Sequence, residues 1–272
     1  MEENEEVSRV LFELSSNRRA SILFEVEKKN LKMQQLAKSL DMTVTETFRH
    51  LQRLSDAKLV EKKNDGSYAI TALGNLAISF LSSFNFILKN TDYFLEHSAP
   101  SLPYEFINRL GELSDGEFCG DTMSTLNRAR ELVYKAEESL WVIGEEIDSS
   151  HIQATNQKIS MGLKFKFIMQ NDLAKTIKLA PEMLLCPHCK KAMAQDESKF
   201  KERQCRHCER KSLERICLSL LISEKEAVIC LRRNKGEMDY SGFFGTNEKF
   251  RKWCQDLFSY YWEKAERWYP SP

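Results

Sequence analysis

The stretch that decides the N-terminal fold is residues 31–71, LKMQQLAKSLDMTVTETFRHLQRLSDAKLVEKKNDGSYAIT. Apolar residues recur there at helical spacing in two separate registers, divided by the segment from Leu40 to Thr43. Thr43 and Glu46 have the spacing of a capping box, which predicts that a second helix begins near Thr43. The residues expected to face inward are Leu36, Ala37 and Leu40 in the first helix, and Val44, Phe48, Leu51 and Leu54 in the second.

The outward face of the second helix carries polar side chains that suit DNA. Hydroxyl, amide, imidazole and guanidinium groups hydrogen-bond to phosphates and to base edges in a major groove. An ordinary helical hairpin with a polar solvent face has the same pattern, and the two helices alone do not separate these alternatives. The candidate DNA contacts on this helix are Thr45, Arg49, His50, Gln52 and Arg53.

A β-hairpin is predicted directly after the second helix. Asp65-Gly66 is typical of a two-residue hairpin turn, and Tyr68 and Ile70 alternate as in a half-buried strand. The tip would present Lys62, Lys63 and Asn64 to adjacent phosphates. A helix-turn-helix followed by a basic-tipped hairpin favours DNA binding over the plain helical hairpin.

Residues 36–60, LAKSLDMTVTETFRHLQRLSDAKLV, resemble the winged-helix domain of arsenic-repressor and multiple-antibiotic-resistance regulators. The resemblance implies a transcriptional regulator that binds double-stranded DNA. Asp41 and Lys58 stand where such sequences usually have glycine. Residues 32–50 contain no cysteine, so the metal box of the metal-sensing members is missing and an arsenic-type sensor is not predicted.

Charge and length limit the possible functions. The 272 residues suffice for two domains, and 40 Lys and Arg balance 40 Asp and Glu, so any DNA contact must be local. Residues 7–80 hold twelve Lys and Arg against eight Asp and Glu, an excess of four. The apolar run at residues 76–88 is predicted to be too short to cross a bilayer, and with no secretory signal we expect a cytoplasmic protein. The acidic start, residues 1–6, is predicted to be disordered.

A long helix, residues 71–97, is predicted after the hairpin, with too many apolar residues for one narrow stripe. Such a helix favours a homodimer that shares the two-fold axis of its DNA site, although it could instead pack only on its own C-terminal domain. The segment APSLP, residues 99–103, ends this helix. The predicted divisions are 1–72 for the winged helix, 73–99 for the linker or dimerisation helix, and 100–272 for the C-terminal domain.

Strands and helices alternate in the C-terminal part, which predicts a layered α/β domain with a largely parallel sheet. Residues 236–266, GEMDYSGFFGTNEKFRKWCQDLFSYYWEKAE, together with 226–231 and 139–146, resemble the effector domain of archaeal methanogenesis and filamentation regulators. The resemblance implies a fold similar to the phospholipase D superfamily without its catalytic motifs. The domain would then serve as an effector or dimerisation domain.

No enzymatic activity is expected from the motifs. The nearest match to HxKxxxxD begins at His188 and has Gln195 in place of the aspartate. Glu145 and Glu146 follow a strand directly, and adjacent strand residues point to opposite faces, so they are interpreted as solvated carboxylates. An effector pocket near Trp141 to Glu146 is a hypothesis, and the effector itself is unknown.

Two cysteine pairs give the most specific chemical signal. They are C-x2-C motifs separated by fifteen residues, a spacing that predicts one structural zinc ion in a ribbon inserted at residues 183–212. A redox-responsive thiol switch and another metal such as iron are the alternatives. His188 and His207 lie between the cysteines of each pair and are assigned no ligand role. The predicted ligands are Cys186, Cys189, Cys205 and Cys208, whereas Cys119, Cys217, Cys230 and Cys254 are predicted to be core residues.

The sequence therefore predicts a cytoplasmic DNA-binding transcriptional regulator, with a winged helix, an α/β domain and an inserted zinc ribbon. The alternative is a protein-interaction module in which the winged helix and the ribbon are docking surfaces without specific DNA readout. Zero net charge favours the alternative slightly, and dependence of binding on salt would separate the two.

Overall fold

The computed structural model describes residues 2–97, 99, 102–144, 149–172 and 208–268. The chain divides into two compact units, Met1–Asn85 and Phe86–Pro272. Unit 1 contains the predicted winged helix and most of the helix that follows it. Unit 2 is a mixed α/β structure.

Unit 1 places a helix-turn-helix and a β-hairpin around one apolar core, as predicted. Its antiparallel sheet has the strand order β1-β3-β2, and its core includes Ile22, Leu36, Leu51 and Leu59. Helix α1 begins at Glu2, so the prediction of a disordered acidic start is wrong; acidic residues stabilise the first turn of a helix. The elements are α1 (Glu2–Leu14), α2 (Asn17–Lys28), β1 (Leu31–Lys32), α3 (Met33–Ser39), α4 (Val44–Asp56), β2 (Val60–Lys62), β3 (Ser67–Ile70) and α5 (Ala72–Lys89).

Helix α4 starts where the sequence predicts, but it is rotated relative to the prediction. The Thr43 hydroxyl accepts a hydrogen bond from the Glu46 N–H at 3.1 Å, which caps the helix. The buried face is formed by Thr47, Leu51 and Leu54. Thr47 is fully buried because its hydroxyl donates to the Thr43 carbonyl at 2.9 Å, which satisfies its polar group. The predicted inward positions of Val44 and Phe48 are wrong, since these side chains are 47% and 49% exposed.

Two residues other than glycine adopt a backbone geometry that favours glycine. Asp41 has φ of 50° and Lys58 has φ of 59°, both in the left-handed region. A side chain there costs roughly 1–2 kcal/mol relative to ordinary backbone. The connection between α3 and α4 and the connection between α4 and β2 therefore each contain a non-glycine residue in the left-handed region.

The hairpin tip differs in detail from the prediction. The Gly66 N–H donates to the Lys63 carbonyl at 3.0 Å, so the turn is centred on Asn64 and Asp65. Gly66 follows with φ of 81°, a conformation that glycine adopts without strain. The Asp65 carboxylate accepts from the Ser67 N–H at 2.9 Å and fixes the turn further.

Helix α5 is anchored at the base of the hairpin. The Thr71 hydroxyl donates to the Lys58 carbonyl at 2.6 Å and accepts from the Gly74 N–H at 3.0 Å. A Cβ at Gly74 would lie 2.2 Å from the Leu59 carbonyl oxygen, so only glycine permits this close approach. The first turn of α5 is therefore held directly against the hairpin backbone.

The predicted helix at residues 71–97 is interrupted. The Asn90 side chain donates to the Phe86 carbonyl at 2.9 Å and the Thr91 hydroxyl donates to the Leu88 carbonyl at 2.7 Å, which competes with continued helical bonding. Helix α5 therefore ends at Lys89 and a separate helix α6 (Thr91–Glu96) follows. Helix α5 has 18 residues and is apolar enough to cross a membrane by length and composition, so the length argument against a membrane span does not hold.

Unit 2 is built on an eight-stranded sheet of order β11-β7-β6-β5-β8-β9-β10-β4. Among the described strands, only the pairs β5 with β6 and β6 with β7 are parallel, so the prediction of a largely parallel sheet is wrong. The other elements of unit 2 are α7 (Tyr104–Ile107), a 3₁₀ turn (Leu110–Leu113), β4 (Glu117–Cys119), α8 (Thr122–Lys135), β5 (Ser139–Gly144), α9 (Ser149–Ser160), β6 (Lys164–Gln170), β7 (Cys208–Leu213), β8 (Leu218–Ser223), β9 (Ala227–Leu231), β10 (Gly242–Gly245), α10 (Glu248–Lys264) and β11 (Glu266–Arg267).

Strand β7 changes the boundary of the predicted zinc-ribbon insertion. Residues 208–212 were assigned to the insertion, yet they belong to a strand that pairs with β6 from Cys208 to Leu213. The predicted ligands Cys186, Cys189 and Cys205 lie outside the described residues. The similarity to the phospholipase D fold that the resemblance implies stays a prediction.

The two faces of this sheet carry separate apolar cores. Helix α10 packs on one face through Trp253, Leu257 and Phe258, and α8 packs on the other through Leu132 and Val133. Alternate residues of each strand feed the two cores because successive side chains point to opposite faces. Of the predicted core cysteines, Cys230 and Cys254 are buried as predicted, whereas Cys119 and Cys217 are only half-buried.

Candidate nucleic-acid interface

The outward face of α4 brings three of the predicted DNA contacts together. Thr45, Arg49 and Gln52 are all exposed on this helix. The exposed side chains of Val44 and Phe48 lie on the same helix beside them. The surface of α4 therefore combines hydrogen-bonding groups with two apolar groups, whereas the sequence predicted a purely polar face.

His50 does not lie on the fully exposed face that the sequence predicted. Its side chain is 18% exposed, and its Nε2 lies 3.6 Å from a carboxylate oxygen of Glu46. Its Nδ1 is buried and has no hydrogen-bond partner within the described part of the chain. A DNA contact by His50 would require its side chain to turn outward.

Arg53 is held by a carboxylate from another helix. Its Nη2 lies 2.7 Å from Glu13 Oε1 and its Nε lies 3.0 Å from Glu13 Oε2, which is a bidentate pair. Its guanidinium also lies 5.3 Å from the centre of the Phe12 ring. The prediction of Arg53 as a DNA contact is not tested by this geometry, but reaching DNA would mean leaving these partners.

Glu13 joins Arg53 to a second, buried arginine. Arg19 Nε lies 2.9 Å from Glu13 Oε2, and its Nη2 donates to the Phe12 carbonyl at 2.8 Å. The hydrogen bond from Arg53 and the charge of Arg19 hold the pKa of Glu13 below its ordinary value, although burial opposes this. This cluster has no local sequence pattern that would predict it, because residues 13 and 53 are forty positions apart.

The hairpin places its predicted contact residues in solvent. Lys62, Lys63 and Asn64 are all exposed, and the Lys63 ammonium forms an ion pair with Glu61. Hydrogen bonds from Ser67 lower the pKa of Asp65, so this carboxylate stays ionised and fixed to the turn. The tip is therefore rigidly closed and presents two lysines and an amide.

A buried polar cluster in unit 2 resembles a catalytic triad by composition only. Ser241 Oγ lies 3.2 Å from His97 Nε2, and Asp239 Oδ1 lies 3.2 Å from the same nitrogen. In a serine-histidine-aspartate relay the serine and aspartate bind opposite ring nitrogens. Here His97 Nδ1 instead bonds to the Tyr93 carbonyl at 2.8 Å. The cluster therefore fastens α6 to the segment before β10 and lacks the geometry for acyl transfer.

The predicted effector pocket and the predicted metal site lie only partly within the described residues. Trp141 packs on Phe258 with ring centres 5.1 Å apart, and Lys166 lies 5.3 Å from the Trp141 ring. Glu145 and Glu146, at the other end of the predicted effector pocket, lie outside the described residues. Within the described ranges, no group of three or more His, Cys, Asp or Glu side chains is placed to hold a metal ion.

The fold and surface define a protein with a winged-helix unit followed by a mixed α/β unit. Among solved structures the chain is similar to TrmBL2, an archaeal chromatin protein whose structure shows a novel mode of DNA binding. The identity is 14% over 93% of this chain and 94% of that chain, with a TM-score of 0.41. No family model and no curated protein matches the chain. At this TM-score the likeness carries no conclusion about function.

Two methyltransferases are also similar to the chain. Mitomycin 7-O-methyltransferase MmcR has 12% identity over 76% of this chain and 63% of that chain, with a TM-score of 0.27. CalO1, a methyltransferase in calicheamicin biosynthesis, has 12% identity over 61% and 60%, with a TM-score of 0.21. These matches contradict the expectation that the chain is not an enzyme, and that expectation is withdrawn. Scores this low assign no activity to the chain.

Proposed function

We propose that this chain is a DNA-binding transcriptional regulator that acts as a homodimer. Helix α4 would enter a major groove, and the β2–β3 hairpin would lie on the adjacent phosphates. The observation that supports this most is the exposure of Thr45, Arg49 and Gln52 on one helix that is followed directly by a lysine-bearing hairpin. Unit 2 would serve as the effector or dimerisation domain.

Each exposed group of α4 and the hairpin has a distinct task in this proposal. A guanidinium such as Arg49 can hydrogen-bond to guanine or to a phosphate, and Gln52 can pair with adenine. Lys62 and Lys63 would neutralise phosphates and set the orientation of the unit on the duplex. The balanced charge of the whole chain fits a contact confined to this surface, where residues 7–80 have an excess of four positive charges.

The homodimer is supported by an apolar stripe on α5. Its members are spaced three or four residues apart, so they share one face of the helix. Asn75 and Ser79 are also exposed on α5, so the exposed surface of the helix is apolar on one side only. Such a helix fits contact with a second protein helix better than contact with lipid on all sides. A second copy of the chain would cover the stripe. Its members are Leu73, Leu76, Phe80 and Phe84, with exposed fractions of 46% to 59%.

The salt dependence of binding distinguishes this proposal from the protein-interaction alternative. Lysine and arginine contacts to phosphates release counterions, so DNA affinity falls steeply as salt rises. A docking surface for another protein need not show this dependence. The same measurement therefore tests both.

Arg49→Ala is expected to weaken DNA binding about tenfold, because one phosphate or base contact is lost. The slope of log affinity against log salt concentration should become shallower by about one, because one positive charge at the interface is lost. The probe is a set of duplexes selected from a random-sequence library by the wild-type chain, measured by gel shift at several fixed salt concentrations. Arg267→Ala removes the same charge from an exposed site in unit 2 and is the matched control. Equal loss in both variants, or no loss in either, would contradict the assignment of α4.

We also propose that Cys186, Cys189, Cys205 and Cys208 hold one structural zinc ion. Of these residues the structure describes Cys208, which is buried at the start of β7. Arg210 Nη1 donates to the Cys208 sulfur at 3.2 Å, and a cation beside the sulfur favours the thiolate that binds zinc. The ion would then lie at the start of β7, next to the sheet.

We expect about one zinc per chain by elemental analysis, as a closed four-cysteine site holds a single ion. Cys186→Ser should lose this zinc, whereas Cys217→Ser, which changes a half-buried cysteine outside the motif, should keep it. An iron-sulfur chromophore, or zinc retained in the Cys186→Ser protein, would show that the assignment is wrong.

A further inference from the structure

Two apolar side chains occupy the surface of α4 that the proposed function turns toward DNA. Val44 is 47% exposed and Phe48 is 49% exposed, and they lie one helical turn apart. The core of unit 1 is completed without them, by Thr47, Leu51 and Leu54. Burial of these two side chains in the folded chain therefore does not explain them, and a ligand for the α4 surface must accommodate apolar groups.

We propose that Val44 and Phe48 contact the 5-methyl groups of thymines in the major groove, an inference that rests on the proposed function. Thymine is the only base of unmodified DNA that presents an apolar group at this edge. Valine and phenylalanine offer no hydrogen bond, so they distinguish thymine from cytosine by contact with this methyl alone. The pair would make an A·T-rich site the preferred target.

The position of the pair on α4 agrees with base contact. Val44 is the first residue of the helix and Phe48 lies in its second turn, the part of a recognition helix that reaches base edges. Four residues of helix rise about 6 Å, and base pairs are stacked about 3.4 Å apart, so the two side chains span about two base-pair steps.

The surroundings of the pair favour DNA over an apolar protein partner. Thr45, Arg49 and Gln52 are exposed on the same helix, and they supply hydrogen-bond donors among the apolar groups. Lys62 and Lys63 add exposed ammonium groups on the hairpin of the same unit. A major groove offers acceptors, methyl groups and flanking negative charge together, which matches this mixture.

The test removes the methyl group without changing base pairing. The probes are a 24-base-pair duplex of alternating dA and dT, and the same duplex with deoxyuridine in place of every thymidine. Burial of one methyl group favours binding about fourfold, so two contacts predict about fifteenfold weaker binding of the deoxyuridine duplex. The wild-type chain is measured on both probes at one salt concentration.

A second pair of probes separates methyl contact from duplex shape. Alternating dG and dC duplexes are compared with and without a methyl group at C5 of every cytosine, which places a methyl group in the same groove. We expect methylation to strengthen binding of the wild-type chain by several-fold. If methylation has no effect, contact with methyl groups is ruled out as the cause of any thymidine preference.

Val44→Ala with Phe48→Ala should bind the thymidine and deoxyuridine duplexes equally. Both side chains are exposed, so the double variant should keep the wild-type thermal midpoint, which is checked by circular dichroism. Met161→Ala removes an 81% exposed apolar side chain from unit 2 and should leave the thymidine preference intact. A preference that survives in the double variant overturns the assignment to these residues.

The outcomes for the wild-type chain also separate this inference from the proposed function. Equal affinity for the thymidine and deoxyuridine duplexes, with steep salt dependence, overturns the inference and leaves DNA binding standing. Absence of salt-dependent binding to every duplex overturns both.

Discussion

Phe80→Asp together with Phe84→Asp is expected to convert the proposed dimer into a monomer and to weaken DNA binding about 100-fold. Both side chains are 59% exposed in the C-terminal half of the apolar stripe on α5, where a second copy would cover them. Two carboxylates at this position would have to be buried without partners when the copies associate. Loss of the dimer removes the second binding unit, and linked binding of two units raises affinity by about 10² to 10⁴.

The control for this variant places the same charges on the exposed polar residues of α5. Asn75→Asp with Ser79→Asp should leave the protein dimeric by sedimentation velocity and should retain DNA binding by gel shift. A wild-type chain that is monomeric at micromolar concentration would refute the dimer. Sedimentation of the wild-type chain with phosphatidylcholine vesicles, abolished by the phenylalanine substitutions, would show instead that a membrane covers the stripe.

The anchoring of α5 would connect the proposed dimer contact to the hairpin. Gly74 sits against the Leu59 backbone, and the Thr71 hydroxyl bonds to both the Lys58 carbonyl and the Gly74 N–H. A change in how two copies pair along α5 would therefore move the base of the hairpin.

The start of α4 was predictable from sequence, but its rotation was not. The hydroxyl of Thr43 and the spacing to Glu46 define a helix start by local chemistry, and the structure confirms the cap. Thr47 can face inward because its hydroxyl donates to the Thr43 carbonyl. Hydrophobic periodicity does not predict such a position, because it treats threonine as a polar residue. Val44 and Phe48 were predicted to face inward because they are apolar. For the same reason, a surface of α4 that combines apolar and hydrogen-bonding side chains was not predicted.

Sheet pairing in unit 2 was beyond sequence analysis for a related reason. Strand β7, with the sequence CERKSL, begins at the last cysteine of the C-x2-C motifs, so residues 208–212 were predicted to belong to the zinc-ribbon insertion. Its place beside β6 depends on partners far along the chain. The β8–β9 hairpin is a contrasting case, because its short antiparallel connection is encoded by adjacent residues.

Glu13→Ala is expected to lower the free energy of unfolding of unit 1 by about 3 kcal/mol. The substitution removes the carboxylate that lies 2.9 Å from the buried guanidinium of Arg19 and 2.7 Å from that of Arg53. Arg19 would stay charged with only 8% of its side chain exposed. The guanidinium groups of Arg19 and Arg53 would then repel each other without a carboxylate between them. Chemical denaturation followed by circular dichroism measures the loss. Glu25→Ala, which breaks the exposed pair with Lys28, is the control and should cost less than about 1 kcal/mol.

The stabilisation of the fold by ionised Glu13 should be lost as the pH falls into the acidic range. Hydrogen bonding to Arg53 keeps the pKa of Glu13 lower in the folded chain than its ordinary value of about 4.3. A carboxyl group with a lowered folded-state pKa stabilises the fold fully above its unfolded value, and this contribution is lost as pH falls through the folded value. Glu13→Gln imitates the protonated carboxyl group, so its stability deficit should be constant at neutral pH and should shrink in acid. A deficit that stays unchanged down to pH 3 would mean that ionisation of Glu13 does not stabilise this cluster.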